Sequence, residues 1–262
     1  MDSAQAPEKR TKGTIKSINK MMMVLDSFSR GQHSMTLAEL ADRTGLPKTT
    51  AHRIVSSLRD IGLLDQDGQR DSYRLGIKLF QLGSLVLASM DLNRHARPHV
   101  THLQRLTGET VHLCVFDGSQ MVFIERQEMG TAPITTVTTI EGAPSYCTGV
   151  GKAFLAFQRE DLITRIIGEG LHRQTPNTIT DHRLLRDELD RIRAAGYAVD
   201  REENEPNVRC VAAPIRDSGG TVFASISVSG PVERMPEERL TGLAPTVVET
   251  ADRISVELGW RS

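Results

Sequence analysis

Apolar positions keep a helical period through the first part of the chain and then give way to shorter, alternating runs. Ile18, Met21, Met22, Leu25 and Phe28 predict a helix from about Ser17 to Gly31, with an apolar side able to cover the helices that follow. In TLAELADRTGLPKTTAHRIVSSLR (residues 36–59), Thr36 and Glu39 form a capping-box signature, and Leu37, Leu40 and Ala41 give one apolar side. Gly45 can take the left-handed conformation that ends that helix. Pro47 suits the first position of a second helix. There Ala51, Ile54, Val55 and Leu58 share one arc, while Lys48, Thr49, His52, Arg53, Ser56 and Arg59 share another. One face packs and one is free. After Gly62, Leu63 and Leu64 lead into Asp67-Gly68, a two-residue hairpin signal. Tyr73 and Leu75 alternate on the return, which predicts a wing with Arg70 near its tip.

The stretch IKLFQLGSLVLASMDLNRHA (residues 77–96) predicts one helix of about five turns that is apolar nearly all round. Leu79, Phe80, Leu82, Leu85, Val86, Leu87, Met90 and Leu92 cannot all face one small domain. A second copy of the same helix, or the core of the next domain, must cover the remainder. Pro98 is expected to open a further helix ending at Gly108. Strands are then predicted at 110–116, 121–126 and 134–140, and helices at 152–157, 161–167 and 181–195. Strands return at 197–200, 208–215 and 221–229, before a closing helix at 237–258. Hairpins mixed with helices indicate an α+β fold with an antiparallel sheet.

At 262 residues the chain has room for two domains, and no apolar run approaches the 18 or so residues of a membrane span. The N-terminus lacks the apolar core of a signal peptide, and three widely spaced cysteines suggest neither a disulfide framework nor a zinc site, so a reducing cytoplasm is expected. The formal net charge of -1 is unevenly spread. Residues 1–76 hold 12 Lys or Arg against 9 Asp or Glu, and the rest hold 20 against 24. The basic part carries the two-helix motif, which modestly favours phosphate contact.

The free face of the second helix has the chemistry of the major groove: arginine can bind guanine bidentately, threonine methyls can touch thymine, and Lys48 can neutralise a phosphate. The candidate DNA contacts are Lys48, Thr49, Thr50, His52, Arg53 and Ser56, with Arg70 in the wing. An ordinary amphipathic pair with a solvated face is the plainer alternative.

Downstream, Cys147-Thr148-Gly149-Val150-Gly151-Lys152 opens a helix with a glycine loop whose backbone N–H groups could receive an anion. Tyr146 and Ala153 exclude a Walker-type phosphate loop. Ser225, Ser227 and Ser229 alternate along one strand, lining either a pocket or a wet surface. Cys147 near a helix start, with His112 or His182 as base, frames a thiol-enzyme alternative, but no spacing joins them. His95, His99 and His102 could gather a metal only across Pro98, which is expected to interrupt their helix, so neither metal nor cofactor is assigned.

LAELADRTGLPKTTAHRIVSSL, YRLG, TGETVHL, YCTGVGKAFLA, TPNTIT, GYAVDREENEPNVRCVAAPI and ASISVSGP occur in an order that resembles the IclR family of bacterial transcription regulators from about Ser17 to Gly259. The resemblance implies a winged helix-turn-helix at 14–76, a linker helix at 77–96 and a GAF/profilin-like effector-binding domain with an antiparallel sheet at 97–262. It implies a cytoplasmic, non-enzymatic regulator, expected to be a repressor of a catabolic operon. Operator DNA, a small organic acid and a homodimer or homotetramer are its expected partners, without a membrane. Carried over by residue, the effector pocket falls on Gly149, Val150, Asp200, Cys210, Ser227 and Ser229, with Tyr146 and Cys147 as variable positions that could tune specificity. Asn207 stands where the family usually has glycine, at a position expected to need a left-handed residue. Two readings from other classes remain: a small-molecule hydrolase or thiol enzyme with an appended DNA-binding domain, and a structural DNA-binding protein without a ligand.

Overall fold

The computed structural model describes residues 15–28, 32–67, 71–89, 91–128 and 142–261. The chain divides into two compact units, Met1–Val86 and Leu87–Ser262. The expected strand at 134–140 and Arg70 lie outside the described residues.

The first unit runs α1 (Lys16–Leu25), β1 (Met35–Thr36), α2 (Leu37–Thr44), α3 (Lys48–Asp60), β2 (Leu64–Asp67) and β3 (Ser72–Leu75), and α4 (Ile77–Ser89) follows. The capping box forms: the Thr36 N–H donates to Glu39 Oε2 at 2.7 Å, and the Glu39 N–H donates to Thr36 Oγ1 at 3.3 Å. Gly45 ends α2 at φ 66°. Pro47 stands one position earlier than expected. It is the N-cap of α3, its carbonyl accepting from Thr50 and Ala51 at 2.8 and 2.9 Å, because its ψ of 138° keeps it outside the helix.

Ala51, Ile54, Val55 and Leu58 are buried as their spacing predicts. On α1 the buried residue is Val24, with Met21 and Leu25 packed beside it, whereas Ile18 and Met22 are exposed. The helical wheel grouped too broad an arc. Pairing of Asp67 with Ser72 leaves four residues between the wing strands, which replaces the expected two-residue turn, and β1 adds a third strand in the order β1-β3-β2.

The second unit contains α5 (Asp91–Thr107), β4 (Thr110–Phe116), β5 (Met121–Gln127), β6 (Gly142–Ala143), α6 (Gly149–Leu155), α7 (Glu160–Glu169), α8 (His182–Ala195), β7 (Ala198–Arg201), β8 (Val208–Arg216), β9 (Val222–Pro231) and α9 (Glu237–Glu257). Across the expected helix at 77–96 the described residues on both sides of Met90 are helical, α4 before it and the start of α5 after it, and Met90 itself lies outside the described residues. Pro98 lies inside α5 rather than opening it. Its ring faces solvent, where water can satisfy the carbonyl left without a donor.

The strands form an antiparallel sheet in the order β6-β5-β4-β9-β8-β7. One face packs Val111, Leu113, Val211 and Ile226 against Leu103 of α5 and Val247 and Ile254 of α9. The other packs Cys114 and Ala212 against Phe154 of α6, Ile166 of α7 and Leu189 of α8. Both faces being covered explains why serines on β9 are enclosed. Among the described residues no helix is long and apolar enough to cross a membrane.

Candidate functional site

Strand register lays two rows of side chains across the second unit. Asp200, Cys210, Ser229 and Thr110 lie opposite one another on β7, β8, β9 and β4. Two residues along, Ala198, Ala212, Ser227, His112 and Arg126 do so on β7, β8, β9, β4 and β5. The two-residue step puts both rows on one face. A cavity of about 590 Å³ opens over them, bounded also by Pro144, Thr148, Asn204 and Glu205. Gly149, Val150, Asp200, Cys210, Ser227 and Ser229, the six expected effector residues, all line this cavity. Ser225 does not: it is fully buried opposite Cys114, and its Oγ has no partner among the described residues.

The glycine loop offers fewer free donors than its sequence implies. Thr148 caps α6 by accepting from the Gly151 N–H at 3.1 Å, and the Gly149 N–H bonds to the Cys210 thiol. The Val150 N–H is left without an acceptor among the described residues. Gly149 is required for space: a Cβ there would stand 2.3 Å from Cys210 Sγ.

Burial governs the chemistry. It pushes the Asp200 carboxyl up to about 7, against a hydrogen bond from the Glu203 N–H to Asp200 Oδ1 at 2.7 Å. It holds His112 down to about 3, with Arg126 adding to the effect, so the ring is neutral and shares a 3.3 Å hydrogen bond with Ser229 Oγ. A carboxyl raised this far holds its proton more readily than an ordinary aspartate, and in the protonated form it does not repel a neighbouring anion.

Sequence reasoning missed the support beneath the cavity. Lys152 is fully buried, and its Nζ donates to Glu203 Oε1 at 2.5 Å, to the Val199 carbonyl at 2.8 Å and to Glu188 Oε1 at 3.2 Å. Thr175 and Thr178 bond the carbonyls of Glu202 and Glu203 at 2.6 and 2.7 Å. These contacts hold the turn that presents Asp200 and Asn204. The recurring phrases YCTGVGKAFLA, TPNTIT and REENEP were the available signal. Asn207 has φ 63°, the left-handed conformation expected of it.

The thiol-enzyme alternative does not survive the geometry. Cys147 is pushed up to about 12 by burial and by Asp200 and Glu203, and its Sγ faces Asn204 Oδ1 at 3.7 Å rather than a base. Neither it nor Tyr146, whose hydroxyl donates to the His172 carbonyl at 2.7 Å, is among the residues that line the cavity, although their neighbours Pro144 and Thr148 are. His95 and His99 turn to the single carboxylate of Glu257 at 3.3 and 2.8 Å, and no metal-binding cluster occurs among the described residues.

In the first unit Lys48, Thr49, His52 and Arg53 are exposed on α3, and Thr50 and Ser56 are half-buried beside them. Arg59 is tied to the wing through Gln66 Oε1 at 3.0 Å.

Residues 17–68 match the family described as IclR helix-turn-helix domain, and residues 84–256 match bacterial transcriptional regulator IclR C-terminal. The chain is 34% identical over 244 residues to the HTH-type transcriptional regulator BhcR of Paracoccus denitrificans, covering 93% of this chain and 87% of that protein. It is 31% identical over 250 residues to the transcriptional repressor IclR of Escherichia coli, covering 94% and 91%. Its structure resembles that of an IclR homolog from Microbacterium hydrocarbonoxydans complexed with 4-hydroxybenzoate, with a TM-score of 0.78, 26% identity and coverage of 92% and 98%.

Proposed function

Because the chain belongs to the IclR family of bacterial transcription regulators, we propose that it is a repressor of a catabolic operon whose effector, a small organic acid, binds over the sheet of the second unit. It is a ligand-responsive DNA-binding regulator, not an enzyme. The helix-flanked antiparallel sheet supports comparison with GAF-type sensors. The carrying observation is that polar groups of one sheet face are enclosed around open space: Asp200, Ser227 and Ser229 are 6, 2 and 9% exposed while lining the cavity. A few buried polar side chains bordering a concave space are what a ligand site requires. The bound 4-hydroxybenzoate of the Microbacterium homolog supports an acid as the ligand class.

Lys48, Thr49, Thr50, His52, Arg53 and Ser56 read the operator, and Arg70, outside the described residues, is a further candidate contact. Ile77, Phe80 and Leu82 of α4 are exposed apolar residues, which supports a homodimer or homotetramer that pairs two reading helices on a palindrome in the cytoplasm. The effector acts by its differential affinity for the DNA-competent and DNA-free states. A thermal-shift panel of carboxylic and sugar acids tests this, followed by operator gel shifts. Ser227→Ala with Ser229→Ala is expected to weaken the hit and leave operator binding in its absence intact. An unchanged response to the acid in that variant places the pocket elsewhere. A flat panel favours a DNA-binding protein without a ligand.

A further inference from the structure

The far end of the cavity is lined by a group that neither the glycine loop nor the serine strand accounts for. Arg126 on β5 lies directly opposite His112 in the strand register, and it is the one Lys or Arg among the described lining residues. Asp200 lies on β7, four strands away in a sheet whose strands stand about 4.8 Å apart. The cavity therefore has two chemically different ends. At one stand the Val150 N–H, Ser227, Ser229 and Asp200, the end assigned above to a single carboxylate. At the other, a guanidinium faces the same space.

Between them, the ring of Phe123 meets His112 at 5.0 Å and 63°, giving an apolar wall to the middle. Beside His112, Arg126 brings a permanent positive charge to this end of the cavity. Arg126 also contacts Glu128, which steadies the guanidinium, and a planar fork with five N–H donors has others to offer. A cavity of about 590 Å³ is larger than a two- or three-carbon acid fills.

We propose that Arg126 is a specificity-determining residue and that the effector carries a second anionic group, making it a dicarboxylic acid of a length that spans the sheet face. This rests on the pocket assigned above. One carboxylate occupies the Ser227, Ser229 and Asp200 end, and the other pairs with Arg126.

Calorimetric titration of the full-length protein with matched acids tests it, using suberate against octanoate and sebacate against decanoate, diacids long enough to bridge the two ends once the reach of the arginine side chain is included. The wild-type protein is expected to bind at least one diacid roughly tenfold or more tightly than its monoacid, the order of effect a charge-assisted hydrogen bond supplies. Arg126→Gln is expected to erase that preference by weakening the diacid far more than the monoacid, and Arg126→Lys to retain part of it. Equal binding of the paired acids by the wild-type protein, or an unchanged ratio in Arg126→Gln, overturns the inference. The two failures separate through Ser227→Ala with Ser229→Ala: if monoacids bind and that variant weakens them, the pocket stands and only the Arg126 assignment falls. If no acid binds, or the serine variant changes nothing, the pocket assignment falls and this inference with it.

Discussion

Lys48, Thr49, His52 and Arg53 stand in solvent on α3, whereas Asp200, Ser227 and Ser229 are enclosed against the sheet of the second unit. Both sets are polar, and both belong to amphipathic elements with regular spacing. The difference lies in what desolvation does. Exposed groups keep their water until a partner displaces it, so they contribute to recognition and little to folding. Enclosed groups must be satisfied within the protein, and function is then built on interactions that folding also depends on.

Substitution divides these roles, with the largest effect expected beneath the cavity. Lys152→Met removes the cation shared by Glu188 and Glu203 and should cost about 3–5 kcal/mol, read as a lower chaotrope midpoint of the full-length protein. On the exposed side, Arg53→Ala should leave stability within about 0.5 kcal/mol and cost about 1–3 kcal/mol in operator discrimination by fluorescence anisotropy. A comparable loss of stability in both variants erases the contrast. Gly149→Ala joins the two kinds of effect. Its new Cβ, 2.3 Å from Cys210 Sγ, should cost about 1–3 kcal/mol by overpacking and abolish acid binding, and Cys210→Ala in the same chain should restore part of both.

Acidity sharpens the comparison further. With Asp200 at about 7, affinity for a carboxylate should fall roughly tenfold between pH 6 and pH 8 as the proton leaves, and Asp200→Asn should flatten that dependence. The same raised carboxyl lowers stability as pH climbs from the ordinary aspartate value of about 4 to 7, because the unfolded chain ionises first. A pH-independent affinity contradicts the protonated-acid account. The smallest effect belongs to a turn: Asn207→Gly relieves a left-handed residue and should stabilise by at most about 1 kcal/mol in thermal unfolding.

Local structure around the exposed face proved more legible in the sequence than the enclosure of the cavity. The capping box, Gly45 and the buried arc of α3 are local signals, set within a few residues of one another, and each appears where the spacing puts it. The alternation on β9 likewise fixed which serines share a face. Spacing could not tell whether that face was wet, because the answer depends on α6, α7 and α8 covering it from elsewhere in the chain. In the sequence Lys152 is part of a loop motif, and nothing local reveals that Glu188 and Glu203 converge on it. Pro98 misled for a related reason: a proline on the solvent side of a helix is tolerated, and its side is a tertiary fact.

Operator affinity measured with and without a bound acid, in the full-length wild-type protein and in Gly149→Ala, tests most directly whether the enclosed site governs the exposed one. Wild-type affinity should shift on adding the acid, and Gly149→Ala should bind operator as the acid-free wild type does and stay there whatever the acid concentration. An equal shift in Gly149→Ala contradicts the assignment of the effector to this cavity.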